Sequence, residues 1–458
     1  MKRPNSLISA ALAVTALAAT APAANADAFV PGQVIVQYKE STSADARATI
    51  ARAAGRAPMA GRSGTARRVR LSRDETVRGA VRRLSRDPRV AWAQPDYVVR
   101  ASGLTPNDPA YARQWNLHGP FGIGMPDAWE VAGTRGAAGG RGAVVAVVDS
   151  GVAYENFRYF RRAPDLAHFV KGYDFVGKDT HPNDENGHGT HIAGTIAQST
   201  NNAIATAGIA YDARIMPVRT LDAQGIGGVF LTAAGIRYAA RNGADVINIS
   251  LEIDDPRARL SDMPVLRSAL HYARARGTLV VGAAGNFRAK RVALPARSRY
   301  VLSVGATTVR GCLSNYSTTG RDLDVVAPGG GRDARPARTP YDRAACRPGL
   351  GAPDIYQQTL TSLSSFGLVN EYEGTSMAAA HVSGVAALLI ATRRLGANPS
   401  PAALERQLER TSRDLGAPGF DARYGYGLLN ASSALRLGPS AALKARRASV
   451  AALRRIGP

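Results

Sequence analysis

Lysine, cysteine and aromatic residues are all scarce in this chain. Of its 458 residues only six are lysine and two are cysteine, and Phe, Trp and Tyr together make up 6%. Few aromatics argue against a nucleic-acid surface, which needs stacking rings interleaved with a basic patch. The charge alone would suggest one, because Lys+Arg number 58 against 35 Asp+Glu, a net +23. The arginines, however, are scattered along the chain rather than gathered in one stripe, as on a solvated arginine-rich surface. Long uncharged apolar runs are also missing beyond the first residues, so no membrane span is expected in the mature protein.

The N-terminal stretch has a different character. Lys2 and Arg3 precede the apolar "LISAALAVTALAAT", and "APAANADA" follows with Ala24 and Ala26 spaced as at an export cleavage site. Residues 1–26 are expected to be a secretory signal peptide, and the mature product a secreted, extracellular protein. In that oxidising compartment Cys312 and Cys346 predict a disulfide rather than two free thiols.

Residues 27–104 read as a small basic α+β unit with 15 Arg/Lys against 6 Asp/Glu over 28–104. "PGQVIVQYK" and "RVAWAQPDYVVR" alternate like strands, and "ADARATIARAAG" and "ETVRGAVRRLSRD" read as helices. "GLTPNDPAY" then breaks the pattern. From 105 to 437, short apolar runs such as "AVVAVVD", "IMPVRTL", "DVINISL", "TLVVGAAGN" and "VLSVGATT" alternate with helical stretches. Continuous apolar strands separated by helices predict an α/β fold of three layers, with a central parallel sheet flanked by helices. Functional residues then belong at the carboxyl ends of strands. Residues 438–458 form a basic Ala/Arg-rich tail.

Four polar positions punctuate this pattern. Asp149 ends a wholly apolar strand, where a carboxylate is costly without a partner. His188 stands between two glycines in "ENGHGTHIAGT". Asn286 ends "VVGAAGN", with an amide able to donate to an oxyanion. Ser376, in "EGTSMAAAHVSG", begins an apolar helix whose dipole favours negative charge. Together they supply the parts of nucleophilic catalysis: nucleophile, base, orienting acid and oxyanion donor. Asp…His…Ser is one of the chain orders in which this geometry occurs. A zinc site on His188 and His191 is a competing reading, but no HExxH pattern accompanies them.

The stretches "VAVVDSG", "GHGTHIAGT", "AAGN" and "GTSMAAAHVSG" resemble, in the same order, the active-site signatures of the subtilisin-like serine proteases. The start "TPNDPAYARQWNL" resembles their thermitase-like branch, and residues 27–104 resemble the family's inhibitory propeptide. The resemblance implies a serine endopeptidase made as a self-processing precursor, acting through an acyl-enzyme. Its partners would be a protein or peptide substrate and its own propeptide, as intramolecular inhibitor and chaperone, and a monomer is expected. It assigns Asp149, His188 and Ser376 as the triad, Asn286 as oxyanion donor, and Ser250, Leu251 and Glu252 as the substrate-binding strand. It also implies structural Ca²⁺, held by Asp108, Asp165 and Asn202 with the carbonyls of Ser199, Ile204 and Thr206. A second site would use Asp174, Asp179 and Asn183, although Gly177 stands where the family has a carboxylate. Two further departures stand out. Ala380 precedes His381 where the family carries proline, and Glu252 replaces a glycine. That carboxylate would attract a cationic substrate side chain, point into solvent or pair with a nearby arginine such as Arg257.

Overall fold

A computed structural model describes residues 29–53, 62–63, 66–72, 75–97, 104–337, 339, 341 and 345–441. The expected signal peptide, the junction at 98–103 with its Arg100 and Gly103, and most of the C-terminal tail lie outside the described residues. The chain forms two compact units, Met1–Ser102 and Gly103–Pro458.

In the first unit β1 (Phe29–Tyr38), α1 (Ala44–Ala53), β2 (Arg62–Ser63), β3 (Ala66–Arg70), α2 (Val77–Leu84) and β4 (Val90–Tyr97) follow one another. The strands make an antiparallel sheet in the order β2-β3-β1-β4. Val34 and Val36 of β1, Val69 of β3 and Ala80 and Leu84 of α2 meet in a small core of their own. Thr76 starts α2 by accepting a hydrogen bond from the Gly79 N–H, the usual service of an N-cap threonine.

The second unit contains α3 (Trp115–His118), α4 (Met125–Gly133), β5 (Val144–Asp149), β6 (Tyr173–Asp174), α5 (His188–Ala197), β7 (Arg214–Arg219), α6 (Val229–Arg241), β8 (Val246–Ile249), α7 (Pro264–Ala275), β9 (Leu279–Ala283), β10 (Leu302–Thr307), β11 (Val325–Pro328), β12 (Gln357–Ser362), β13 (Ser365–Val369), α8 (Thr375–Ala391), α9 (Pro401–Thr411) and α10 (Ala431–Arg436). Seven strands make a parallel sheet in the order β11-β10-β9-β8-β5-β7-β6. β5 shows why its sequence is apolar throughout: Val145 and Val147 enter the core on one face of the sheet, and Val144, Ala146 and Val148 the core on the other. The three-layer α/β fold predicted from the strand runs is what the chain adopts. The order of strands reverses at β5, and Asp149 sits at its carboxyl end, where such sheets open a crevice for ligands.

Helix α8 is apolar on every side because it is buried on every side. Its small residues permit close approach to neighbouring elements. Ala380 lies fully buried within this uninterrupted helix, so the missing proline leaves the helix regular. β12 and β13 form an antiparallel hairpin that the sequence reading did not anticipate.

Cys312 and Cys346 form a disulfide. The loop it closes contains the buried strand β11 and, after it, an insert rich in Gly, Pro and Arg with few apolar residues. Asp333 holds the same segment from inside, accepting from Arg310 Nε at 2.7 Å, Thr308 Oγ1 at 2.7 Å and the Arg347 N–H at 2.9 Å. Replacing both cysteines by serine is expected to cost about 3–4 kcal/mol on the loop-entropy account for a loop of this length. Denaturant unfolding with and without the bridge measures it, and equal midpoints would show that the bridge adds nothing to what already holds the segment.

Candidate active site

The carboxyl ends of β5, β8 and β9 and the first turns of α5 and α8 bring the sequence-predicted residues together. Asp149 is fully buried, and its Oδ1 lies 2.8 Å from His188 Nδ1. A carboxylate can only accept, so Nδ1 carries the proton and Nε2 of the neutral ring is free to take one. Burial pulls the His188 pKa down, but the charge and hydrogen bond of Asp149 outweigh it and leave the pKa above its ordinary value.

What holds His188 in place is a residue the motif reading passed over. Asp184 is fully buried and accepts from Ser150 Oγ (2.9 Å), the Asn186, Gly187 and Thr190 N–H groups (2.9 Å each) and Thr190 Oγ1 (2.7 Å). Burial pushes its pKa up despite these donors. Asp184 thereby satisfies orphan N–H groups at the start of α5, where a negative charge also suits the helix dipole. Ser150 Oγ in turn accepts from the Gly189 N–H. A Cβ on Gly189 would lie 2.1 Å from the Gly151 carbonyl oxygen, so only glycine lets the helix approach β5 this closely. An acidic residue four positions before the helix histidine was the sequence signal for this cap.

Ser376 lies in the first turn of α8. Its Oγ donates to the Ser250 carbonyl at 3.2 Å, and Ser250 Oγ donates to the Ser376 carbonyl at 2.9 Å. Ser250 Oγ itself accepts from Asn248 Nδ2, whose amide oxygen accepts from Ser383 Oγ. Among the described residues Ser376 makes no hydrogen bond to His188, and such contacts often tighten only with substrate in place. Asn286 is oriented by Thr375. Asn286 Oδ1 accepts from both the Thr375 N–H and Thr375 Oγ1 at 3.0 Å, so the amide NH₂ is turned the other way. Thr375, next to Ser376 in the same motif, therefore fixes which way the Asn286 amide faces.

A cleft of about 530 Å³ runs beside these groups, lined by Asp149, His188, Ser250, Leu251, Glu252 and Asp254 and by Gly225, Ile226 and Leu266 across from them. All three predicted substrate-binding residues line it. Glu252 does not pair with Arg257, which reaches Asp255 instead. His191, the other histidine of α5, puts its Nε2 on the Ile355 carbonyl at 3.0 Å and stacks on Tyr372.

The predicted calcium ligands gather around one loop, residues 199–206, against which Asp108 and Asp165 pack from two other segments. Asp108 and Asp165 are both buried. Asp165 Oδ1 accepts from Asn202 Nδ2 at 2.6 Å and Oδ2 from Gln198 Nε2 at 2.9 Å, and Asp108 Oδ2 accepts from the Asn201 N–H at 2.8 Å. The Ser199 N–H donates to the Asp165 carbonyl, the Ile204 N–H to Asn202 Oδ1, and Thr206 Oγ1 to Gln357. Burial pushes the Asp165 pKa up to about 6, and the Asp108 charge adds to it. Neither carboxylate has an ion pair among the described residues. Gln198 Oε1 is buried without a partner, and Asn201, Ala203 and Ala205 take positive φ angles of 62°, 61° and 42°. An all-oxygen donor set with two uncompensated charges fits a hard divalent cation, to which Asn202 would offer Oδ1 only with its amide rotated from its present contacts. The second predicted site is different. Asp174 Oδ2 accepts from Arg219 Nη1 at 3.1 Å, and the same guanidinium pairs with Glu185. The positive charge beside Asp174 is supplied by the protein itself, which weighs against a metal there.

Comparison with known proteins agrees with this geometry. A profile of the subtilase family matches residues 140–427, and one of the fervidolysin N-terminal prodomain matches residues 15–96. A thermophilic serine proteinase of a Bacillus species is 35% identical over 402 residues, covering 87% of this chain and 86% of its own. Thermitase of Thermoactinomyces vulgaris is 36% identical, over 67% of this chain and 93% of its own. An extracellular protease of Xanthomonas campestris is 32% identical, over 95% and 79%. A solved protease structure from Pseudoalteromonas arctica superposes with a TM-score of 0.59 at 30% identity, covering 74% of this chain and all of that one. The chain belongs to the subtilase family and is a subtilisin-like serine endopeptidase that carries an N-terminal prodomain.

Proposed function

We propose that the protein is a secreted endopeptidase that matures by cutting itself and hydrolyses peptide bonds through an acyl-enzyme on Ser376. The observation that carries this is the buried Asp149–His188 hydrogen bond, which leaves Nε2 as the basic atom of the ring. In the first step Ser376 Oγ attacks the substrate carbonyl carbon while His188 Nε2 takes its proton. Asp149 stabilises the imidazolium that forms. Asn286 Nδ2 and the N–H groups at the start of α8 donate to the oxyanion. His188 then returns the proton to the leaving amine, and water releases the acyl group by the same steps in reverse.

Self-processing would remove the prodomain at the junction near residues 98–104. Ser376→Ala and His188→Ala are expected to accumulate as full-length precursor when expressed alone, as read by mass and N-terminal sequencing. A Ser376→Ala protein cleaved at the wild-type bond in the absence of other protease would refute it. The extracellular protease of Xanthomonas campestris and the apolar N-terminal stretch support export.

Calcium is proposed at the loop of Asp108, Asp165 and Asn202, where it would neutralise two buried carboxylates and order a loop with three strained residues. Ligation stabilises by mass action. The melting temperature should rise by several degrees or more from EDTA to excess Ca²⁺, and Asp165→Asn should abolish most of the rise. An unchanged melting temperature would remove the site.

A further inference from the structure

The chain carries a net charge of +23, yet the residues lining its cleft include three carboxylates and no lysine or arginine. Asp149 is committed to His188, and Asp254 is exposed. Glu252 is different, because it is half-buried and held by a backbone hydrogen bond. It follows Ser250, which exchanges hydrogen bonds with Ser376, by two residues. Its Oε2 accepts from the Asn286 N–H at 3.1 Å. The turn it reaches needs glycine: Gly285 has φ +107°, and a Cβ there would lie 2.5 Å from that carboxylate oxygen. The carboxylate is thus fixed between the segment after β8 and the turn after β9.

Glu252 has no cationic partner among the described residues. Arg257, its expected neighbour, pairs with Asp255. Burial, together with the charge of Asp254, pushes the Glu252 pKa up, as befits a charge without compensation. A partly desolvated carboxylate with a single neutral donor gains most from a cation entering beside it. The position of that cation follows from Asn286. Glu252 Oε2 is hydrogen-bonded to the backbone of Asn286, and the oxyanion that Asn286 would serve belongs to the residue whose carbonyl is attacked, so that residue's side chain is the one a substrate would bring toward Glu252.

We propose that Glu252 is a specificity-determining residue that selects a Lys or Arg side chain on the residue supplying the scissile carbonyl. The proposal rests on the proteolytic reading given above. The alternative is that Glu252 only props the Asn286 backbone. A prop would alter turnover of every substrate alike, whereas a specificity residue alters the ratio between substrates.

The experiment uses processed enzyme and peptides identical except for Arg, Lys, Leu or Glu at that one position. Wild type should favour Arg and Lys over Leu by about tenfold or more in kcat/KM, as a partly desolvated charge pair warrants. Glu252→Gln should bring the Arg-to-Leu ratio toward one, and Glu252→Lys should shift preference to the Glu peptide. Because the readout is a ratio, a general loss of activity in either variant does not obscure it. Labelling with a fluorophosphonate accompanies the assay. Enzyme that labels and cleaves without preferring basic residues, or a Glu252→Gln variant that keeps the wild-type ratio, overturns this proposal alone. Enzyme that neither labels nor cleaves overturns the proteolytic reading and this proposal with it.

Discussion

Asn286→Ala is expected to lower kcat by roughly 10²- to 10³-fold, the general cost of one lost oxyanion donor as established on relatives in this family. KM should change little, because the donor meets charge that exists only in the transition state. The structure adds a second, more specific expectation. Thr375 Oγ1 accepts from the Gly285 N–H at 3.2 Å and donates to Asn286 Oδ1 at 3.0 Å, so it sets which way the amide faces. Thr375→Val removes that hydroxyl while keeping the shape of the side chain. It should cost about tenfold in kcat, roughly one hydrogen bond's worth. Thr375→Ser restores the hydroxyl and should restore most of the rate. Steady-state kinetics on one peptide substrate decides the matter. Wild-type kcat in Asn286→Ala would remove Asn286 from the oxyanion site, and failure of serine to rescue would make Thr375 a packing residue.

The second large effect concerns acid. His381 is fully buried in α8, with Nδ1 on the Met377 carbonyl at 2.7 Å and Nε2 against Asn116 Nδ2 at 2.8 Å. Burial lowers its pKa to about 4, and that of His191 to about 3. A histidine whose folded pKa lies below its unfolded value stabilises the protein fully above the unfolded pKa. That stability is lost as pH falls from about 6.5 toward the folded pKa, because the unfolded chain binds the proton more readily. For His381 the loss by pH 4 is about 3 kcal/mol. Asp324 and Glu409 oppose it, since burial raises their pKa values to about 6 and about 7. Total stability therefore mixes both signs, and a difference between variants isolates the histidine. His381→Gln should be less stable than wild type at pH 7.5, and the gap should close by about 3 kcal/mol by pH 4. Denaturant unfolding across that range measures it. A gap independent of pH would mean that His381 titrates normally in the fold.

The parts of this molecule legible in its sequence are those where chemistry and backbone geometry restrict residue type together. β5 had to be apolar because both its faces are buried, and a carboxylate at its end therefore stood out. The glycines around His188 were legible because a side chain at Gly189 would strike the Gly151 carbonyl. What stayed hidden depends on contacts between distant segments. Nothing local in "SLEIDD" tells that Glu252 reaches the Asn286 N–H, 34 residues on, while Arg257 turns to Asp255. The same holds for Arg219, which looks like an ordinary residue at the end of β7 yet supplies the charge where a metal was expected. Thr375 sat inside the motif with Ser376, but its partner lies 89 residues away. The hairpin of β12 and β13 follows a Gly/Pro/Arg-rich segment whose composition masked the short alternating strands after it.

An activated nucleophile at Ser376 is the centre of the proposed mechanism, and labelling by a fluorophosphonate tests it most directly. The reagent is added to the processed protein, and the adduct is located by mass spectrometry. The expected result is a single modification on Ser376 of the wild-type enzyme, and none on the unprocessed Ser376→Ala and His188→Ala precursors. A folded protein that resists the reagent, or a modification that persists in Ser376→Ala, would contradict it.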